Sequence, residues 1–460
     1  MLLGQTKIAP SSELLGVAPI PPKLPFASAR AREEALSRLL VAFVTTGLVF
    51  MLFPGTFLGV WNLLQISGRE SVASVSPAWL QAHGHAQVFG WVGSFILGIG
   101  FYSIPKLRGG ARSSFATAWA CWAMWTTGVT IRWIANVYLW GWRTLLPCSA
   151  VLELAAFVLF LRGVSRHRSE NFTQGKLDPW IWVVISASMG LLFALLTNAA
   201  GCLYMAVSGA TPAFPHRMDQ RYLALLAWGF LVPFVWGFSA KWMSVFLGLK
   251  PVRPKWLRAA VATCVIGLIV SVSGGASVAA WFFVAATSIA ILALRMFEPS
   301  DKEPKTRGIH SSFPHFVRIA YGWLIVAALL GVAAARWDTS GGIWGASRHA
   351  LTVGFISVMI VSVGQRILPA FAGMRMLWSK KLMLVALVLL VSGCGLRVSC
   401  EVLAYQSYSS TAWRILPLSA LLELGALTVF AVNIAGTFFF CEPHANREPM
   451  VTGISGIAAQ

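Results

Sequence analysis

From about residue 39 onward the chain is a succession of apolar runs broken by short polar stretches. A helix that crosses the hydrocarbon of a bilayer needs about 20 mostly apolar residues. Twelve runs reach that length: 39–62, 85–107, 115–137, 144–163, 180–206, 222–248, 256–274, 277–297, 316–336, 349–371, 382–404 and 415–439. Only a tight turn at Gly274 and Gly275 separates the seventh from the eighth. The pattern predicts an all-α membrane domain of twelve transmembrane helices over 39–440, between tails of residues 1–38 and 441–460. Pro21, Pro22, Pro25 and the charges between Arg30 and Glu34 break the basic, apolar, small-residue order of a cleaved signal peptide, so the first tail is expected to stay in the cytoplasm.

Composition sharpens this. The chain is 57% hydrophobic and 11% charged, whereas soluble domains carry roughly a quarter charged residues. Cytosolic enzymes, nucleic-acid modules and disordered proteins are excluded together. The net charge of +20 does not signal nucleic acid, because the 36 Lys and Arg lie mostly between apolar runs and report orientation instead. Basic residues crowd the loops after even-numbered helices: Lys106, Arg108 and Arg112; Arg162, Arg166, Arg168 and Lys176; Lys250, Arg253, Lys255 and Arg258; Arg295, Lys302, Lys305 and Arg307; Arg375, Lys380 and Lys381. The odd loops hold about one each, as at Arg69, Arg143 and Arg414. Both termini are therefore expected in the cytoplasm, the chain in a bacterial inner membrane, and lipid as its constant partner. The seven cysteines form no CxxC pair and mostly lie inside apolar runs, which reads as small buried hydrophobes.

An internal repeat follows. His85, Ala86, Gly90, Gly100 and Pro105 match His349, Ala350, Gly354, Gly364 and Pro369 at one constant offset. Downstream, Gly128 and Arg132 pair with Gly393 and Arg397, and the segment Leu146 to Glu153 pairs with Leu416 to Glu423. The middle helices keep a blurred copy, with Trp228, Gly229, Pro233, Trp236 and Gly237 but no histidine. Three four-helix units result, about 39–165, 180–298 and 316–440. Parallel repeats imply an axis along the membrane normal, with helices two, six and ten in equivalent inner positions and His85 level with His349.

Ionisable groups inside spans are costly and mark candidate sites. Facing imidazoles at equal depth form a bis-histidine haem site. Alternatively, His85 and His349 are interfacial histidines bonded to neighbouring helices. Ala86, Gly90, Gly93, Gly98, Gly100, Gly354 and Gly364 would make room for a flat macrocycle, or serve plain helix packing. Arg132 and Arg397 are candidate clamps on haem propionates, or structural ion pairs with Glu153, Glu423 or Glu401. Those three glutamates are the carboxylates inside apolar runs; a proton relay through them would need a chain toward the cytoplasm that the inner leaflet does not offer. His83 and His216 map to the outer surface and, with His85, are a candidate copper site, although a spacing of two turns His83 away from His85 on a helix. His167, His310, His315 and His444 fall in cytoplasmic loops or the tail.

The segment Ala82 to Gly90, with its His-x-His opening, resembles the second helix of haem–copper oxidase catalytic subunits, as does the twelve-helix threefold plan. With Arg348 to Gly354 in helix ten, the chain from about 40 to 437 more closely resembles the NnrS family, haem- and copper-containing membrane proteins associated with nitric oxide metabolism. It departs from that pattern at Ala86 and Gln87 and at Pro369 to Met374. The resemblance implies a haem–copper-oxidase-like bundle, a b-type haem, and a role in nitric oxide or nitrosative-stress metabolism, with an electron donor or respiratory partner. An oxidase of that type needs copper histidines in helices six and seven; 222–245 and 256–273 contain none, so oxygen or nitric oxide reduction at such a centre is not expected. Two other classes remain in view: a solute transporter or channel built on the repeats, and a cofactor-free assembly or regulatory subunit.

Overall fold

The computed structural model describes residues 26–107, 114–165, 178–373 and 376–441. Arg108, Arg112, Arg166, His167, Arg168, Lys176, Arg375, His444 and both chain ends lie outside them. Every regular element among the described residues is helical. Eleven helices are long and apolar enough to cross a membrane. They are α1 Arg30–Arg69, α2 Pro77–Lys106, α4 Trp142–Val164, α5 Pro179–Ser208, α6 His216–Phe246, α7 Pro254–Val272, α8 Ala276–Leu294, α9 Phe313–Trp337, α10 Gly342–Phe371, α11 Lys380–Tyr405 and α12 Thr411–Phe440. The remaining expected span, α3 at Phe115–Tyr138, is a helix of 24 residues whose tryptophans, threonines, Arg132 and Asn136 lower its mean hydropathy below that of the others.

The boundaries have local causes. Ser76 accepts a bond from the Ala78 amide with Pro77 in the first turn, Ser114 caps α3 through the Thr117 amide, and Ser379 caps α11 through the Leu382 amide; each satisfies an orphan donor of a helix start. The turn between α7 and α8 works because Gly274 adopts φ +102°, a conformation closed to other residues. α1 is longer than its apolar run and reaches back into the expected tail: its backbone is helical from Phe26.

The helices expected at inner positions are the most enclosed. The apolar stretch of α2 is 83% buried, that of α10 72% and that of α6 56%, against at most 50% for the other candidate spans. The same three helices share a further feature. Each widens into a π turn, at Ala86–Gly93, Leu225–Leu231 and Ala350–Ser357. In α2 and α10 the wide turn starts immediately after His85 and His349; in α6 it starts after Ala224. A π turn frees carbonyls that an α-helix would use. Neighbours take several of them: Trp125 Nε1 donates to the Phe89 carbonyl, Cys264 Sγ to that of Trp228, and the Ser357 hydroxyl to that of Thr352. α1 has its own π turn at Met51–Phe57 around Pro54, where the Thr56 hydroxyl donates to the Met51 carbonyl.

Candidate functional site

Two polar clusters lie toward the N-terminal ends of α2 and α10. Their glutamates are held by the hairpins that the repeat picked out. A Cβ on Gly128 would lie 2.9 Å from Glu153 Cγ and 3.2 Å from the Ser149 carbonyl; on Gly393 it would lie 2.9 Å from Glu423 Cγ and 3.1 Å from the Ser419 carbonyl. The matched glycines let α3 approach α4, and α11 approach α12, closely enough to seat a carboxylate in each contact.

In the first cluster His85 Nε2 lies 2.7 Å from Glu153 Oε1, and the imidazole stacks on Phe89 with centroids 4.4 Å apart. Glu153 also receives bonds from the Ser149 hydroxyl at 3.3 Å and Asn198 Nδ2 at 3.4 Å. The expected pairing of Arg132 with Glu153 is not made directly. The Arg132 guanidinium feels the Glu153 charge, but its hydrogen-bond partner is the Cys202 thiol, and it packs on the Phe214 ring, 5.0 Å from the centroid.

In the second cluster the partners are exchanged. His349 Nδ1 lies 2.9 Å from both the Gly345 carbonyl and Glu401 Oε2, and Arg397 Nε is 3.3 Å from the same carboxylate oxygen. The expected Arg397–Glu401 pair is therefore present. Its alignment is poor, and both Arg397 Nε and Glu401 Oε2 remain without a hydrogen bond although buried. Glu423, the repeat partner of Glu153, has Oε1 buried and unbonded.

His83 faces the other way from His85, as a spacing of two on a helix requires. Its Nδ1 lies 2.9 Å from the Gly55 carbonyl of α1, and it interacts electrostatically with His349 and Arg397. A carbonyl only accepts, so Nδ1 carries a hydrogen in both His83 and His349, and the contact is not made through Nε2. In His85 it is Nε2 that is engaged.

The expected copper set is not assembled. His83 and His85 point to different helices, His216 is the exposed first residue of α6, and among the described residues no three His, Cys, Asp or Glu are placed to hold a metal ion. Nor is a slot left along most of the small residues, Gly364 alone among these glycines having room for an added carbon. Gly90 packs on Phe50, Gly93 on Trp125, Gly98 on Phe43, Gly100 on Phe160 and Gly354 on Trp323, so these glycines serve helix packing. A groove of about 780 Å³ lies elsewhere, between α1 and α3, lined by Thr45, Phe50, Pro54, Trp133 and Tyr138.

Several residues in these clusters escaped the sequence reading. Cys202 passed as a small apolar residue; its signal was Asn198, a polar residue four positions earlier in an otherwise apolar run. Tyr222 and Gln81 lie near span ends, where polarity is ordinary. Gln81 brackets Phe214, its Nε2 donating to the Phe214 carbonyl at 3.0 Å and its Oε1 accepting from the amide at 2.8 Å.

Among solved structures, a heme-copper terminal oxidase dimer determined by cryo-EM is similar, with a TM-score of 0.60 at 10% sequence identity, covering 88% of this chain and 84% of that one. The likeness is one of fold. No curated protein matches the sequence. The NnrS protein family matches residues 41–439, nearly the whole helical domain. This chain is thus a multi-pass membrane protein with the fold of haem–copper oxidases, and it belongs to the NnrS family.

Proposed function

We propose that this protein binds haem near the outer end of α2 and α10 and acts in the bacterial response to nitric oxide, with His349 as an axial ligand. The observation that carries the reading is the state of the His349 ring. Its Nδ1 hydrogen is held by the Gly345 carbonyl, with the Glu401 carboxylate 2.9 Å away, which leaves Nε2 free, the arrangement by which proteins orient a metal-binding imidazole. Beside it the buried Arg397 Nε lacks a hydrogen-bond partner, and a guanidinium there suits a propionate.

His83 shares the tautomer of His349 and its electrostatic neighbourhood. It is the second ligand in this reading, in the place that the repeat assigns to His85. His83 and His349 are thus the residues that would hold haem in this reading, and the aromatic-filled glycines of α2 are not part of it. When bound, haem would supply one-electron transfer or a binding site for a diatomic gas. The chain's own residues hold and orient: the Gly345 carbonyl orients the His349 ring beside the Glu401 carboxylate, Arg397 would neutralise a propionate, and the Gly55 carbonyl sets the His83 tautomer.

The link to nitric oxide rests on the family, and the inner-membrane setting on the basic loops. One-electron chemistry implies a donor, in the membrane or at the outer face. Copper is not part of this reading, since the donor set does not gather. The test is haem content after purification from haem-replete cells: about one haem per chain is expected in the wild type and a large loss in His349→Ala. A wild type that carries no haem would overturn the reading and bring the transporter and cofactor-free classes forward.

A further inference from the structure

Arg132 has no role in the haem reading, yet it is 2% exposed, and no described carboxylate lies within ion-pair distance of it. Two carboxylates, Glu153 and Asp219, act on it only through space, and Glu153 is already held by His85, Ser149 and Asn198. A buried cation without a paired anion is among the costliest arrangements in a protein. The guanidinium's Nε is unbonded. So is the phenol oxygen of Tyr222, which is 6% exposed and interacts electrostatically with Arg132, Cys202 and Glu153. Two buried donors from α3 and α6 thus look for an acceptor in one place.

Phe214, in the connection between α5 and α6, packs under Arg132 at 5.0 Å and edge-on to Tyr222 at 5.8 Å. Gln81 of α2 pins that residue by both its amide and its carbonyl, and Arg143 of α4 donates to the carbonyls of Ala206 and Gly209 at the connection's start. The connection is therefore tied over the cluster from two sides.

We infer that Arg132 and Tyr222, beneath the Phe214 connection, form a binding site for a small monovalent oxyanion. A planar guanidinium edge and a phenol hydroxyl are donors suited to a trigonal anion, and the anion supplies the direct ion-pair partner that Arg132 does not find in Glu153 or Asp219. The site shares no residue with the His83–His349 pair and does not depend on haem.

The experiment is calorimetric titration of the purified full-length protein with nitrate in a chloride-free buffer, with the visible spectrum recorded alongside. Nitrate is a poor ligand for haem iron, so the heat reads this site whether or not the protein is coloured. Saturable one-site binding is expected, with no spectral shift. Tyr222→Phe, which keeps the ring packing, is expected to bind about tenfold more weakly, in line with the loss of one charged hydrogen bond. Arg132→Gln is expected to abolish binding. If that variant does not elute as a single folded species, Tyr222→Phe decides. Absence of saturable binding in the wild type would overturn the inference, as would wild-type affinity in Tyr222→Phe.

Discussion

His83 and His85 are two residues apart and serve opposite neighbours, one the α1 backbone at Gly55 and the other the α4 carboxylate of Glu153. Burial makes the second contact consequential. His85 is 7% exposed and Glu153 fully buried, so removing the carboxylate leaves a polar ring unpaired, at a cost of about 1–3 kcal/mol. Glu153→Ala is expected to lower the melting temperature of the purified protein clearly. Glu423 occupies the equivalent place with one oxygen already unbonded, and Glu423→Gln is expected to leave the melting temperature unchanged or raise it. Equal losses at both positions would show that the repeat's two glutamates do the same work. The sequence identified both glutamates and put them on the right helices. It could not tell that His349 takes Glu401 from α11 while His85 takes Glu153 from α4, because that choice depends on side-chain rotamers in a packed interior.

At the scale of elements, the hairpins α3–α4 and α11–α12 depend on Gly128 and Gly393, where a Cβ would press on the glutamate side chain and on a backbone carbonyl. Overpacking of this kind costs about 1–3 kcal/mol. Gly128→Val is expected to destabilise the protein by that order in thermal melts, whereas Gly322→Ala in α9, with nothing within 4 Å of the added carbon, is expected to be neutral or slightly stabilising. If the two changes had equal effects, close approach would not be the reason for Gly128. The glycines were legible because the repeat kept them in step with Ser149, Glu153, Ser419 and Glu423. The π turns after His85 and His349 were not, since apolar runs on an all-round buried helix carry no periodicity from which one extra residue per turn could be read.

For the whole molecule, the burial of α2, α6 and α10 agrees with their expected inner positions. Eleven of the twelve expected spans were legible from run length and hydropathy, and the most enclosed helices are those expected at inner positions; α3 was readable by length and position more than by hydropathy. The loop charges make a further prediction about orientation. With the native cysteines replaced, a cysteine at Ser407, in the turn between α11 and α12, is expected to react in intact spheroplasts with a membrane-impermeant maleimide. One at Glu303, between α8 and α9, is expected to react only after permeabilisation. The reverse pattern would invert the topology and put both polar clusters on the cytoplasmic side.

The most direct test of the account is the reduced-minus-oxidised visible spectrum of haem-replete protein, taken for the wild type and for His83→Ala, His85→Ala and His349→Ala, each shown to be folded. The account predicts a low-spin haem signal in the wild type and in His85→Ala, and its loss in His349→Ala and His83→Ala. A signal that survives in His83→Ala but vanishes in His85→Ala would contradict the ligand assignment, and a colourless wild type would contradict the haem itself.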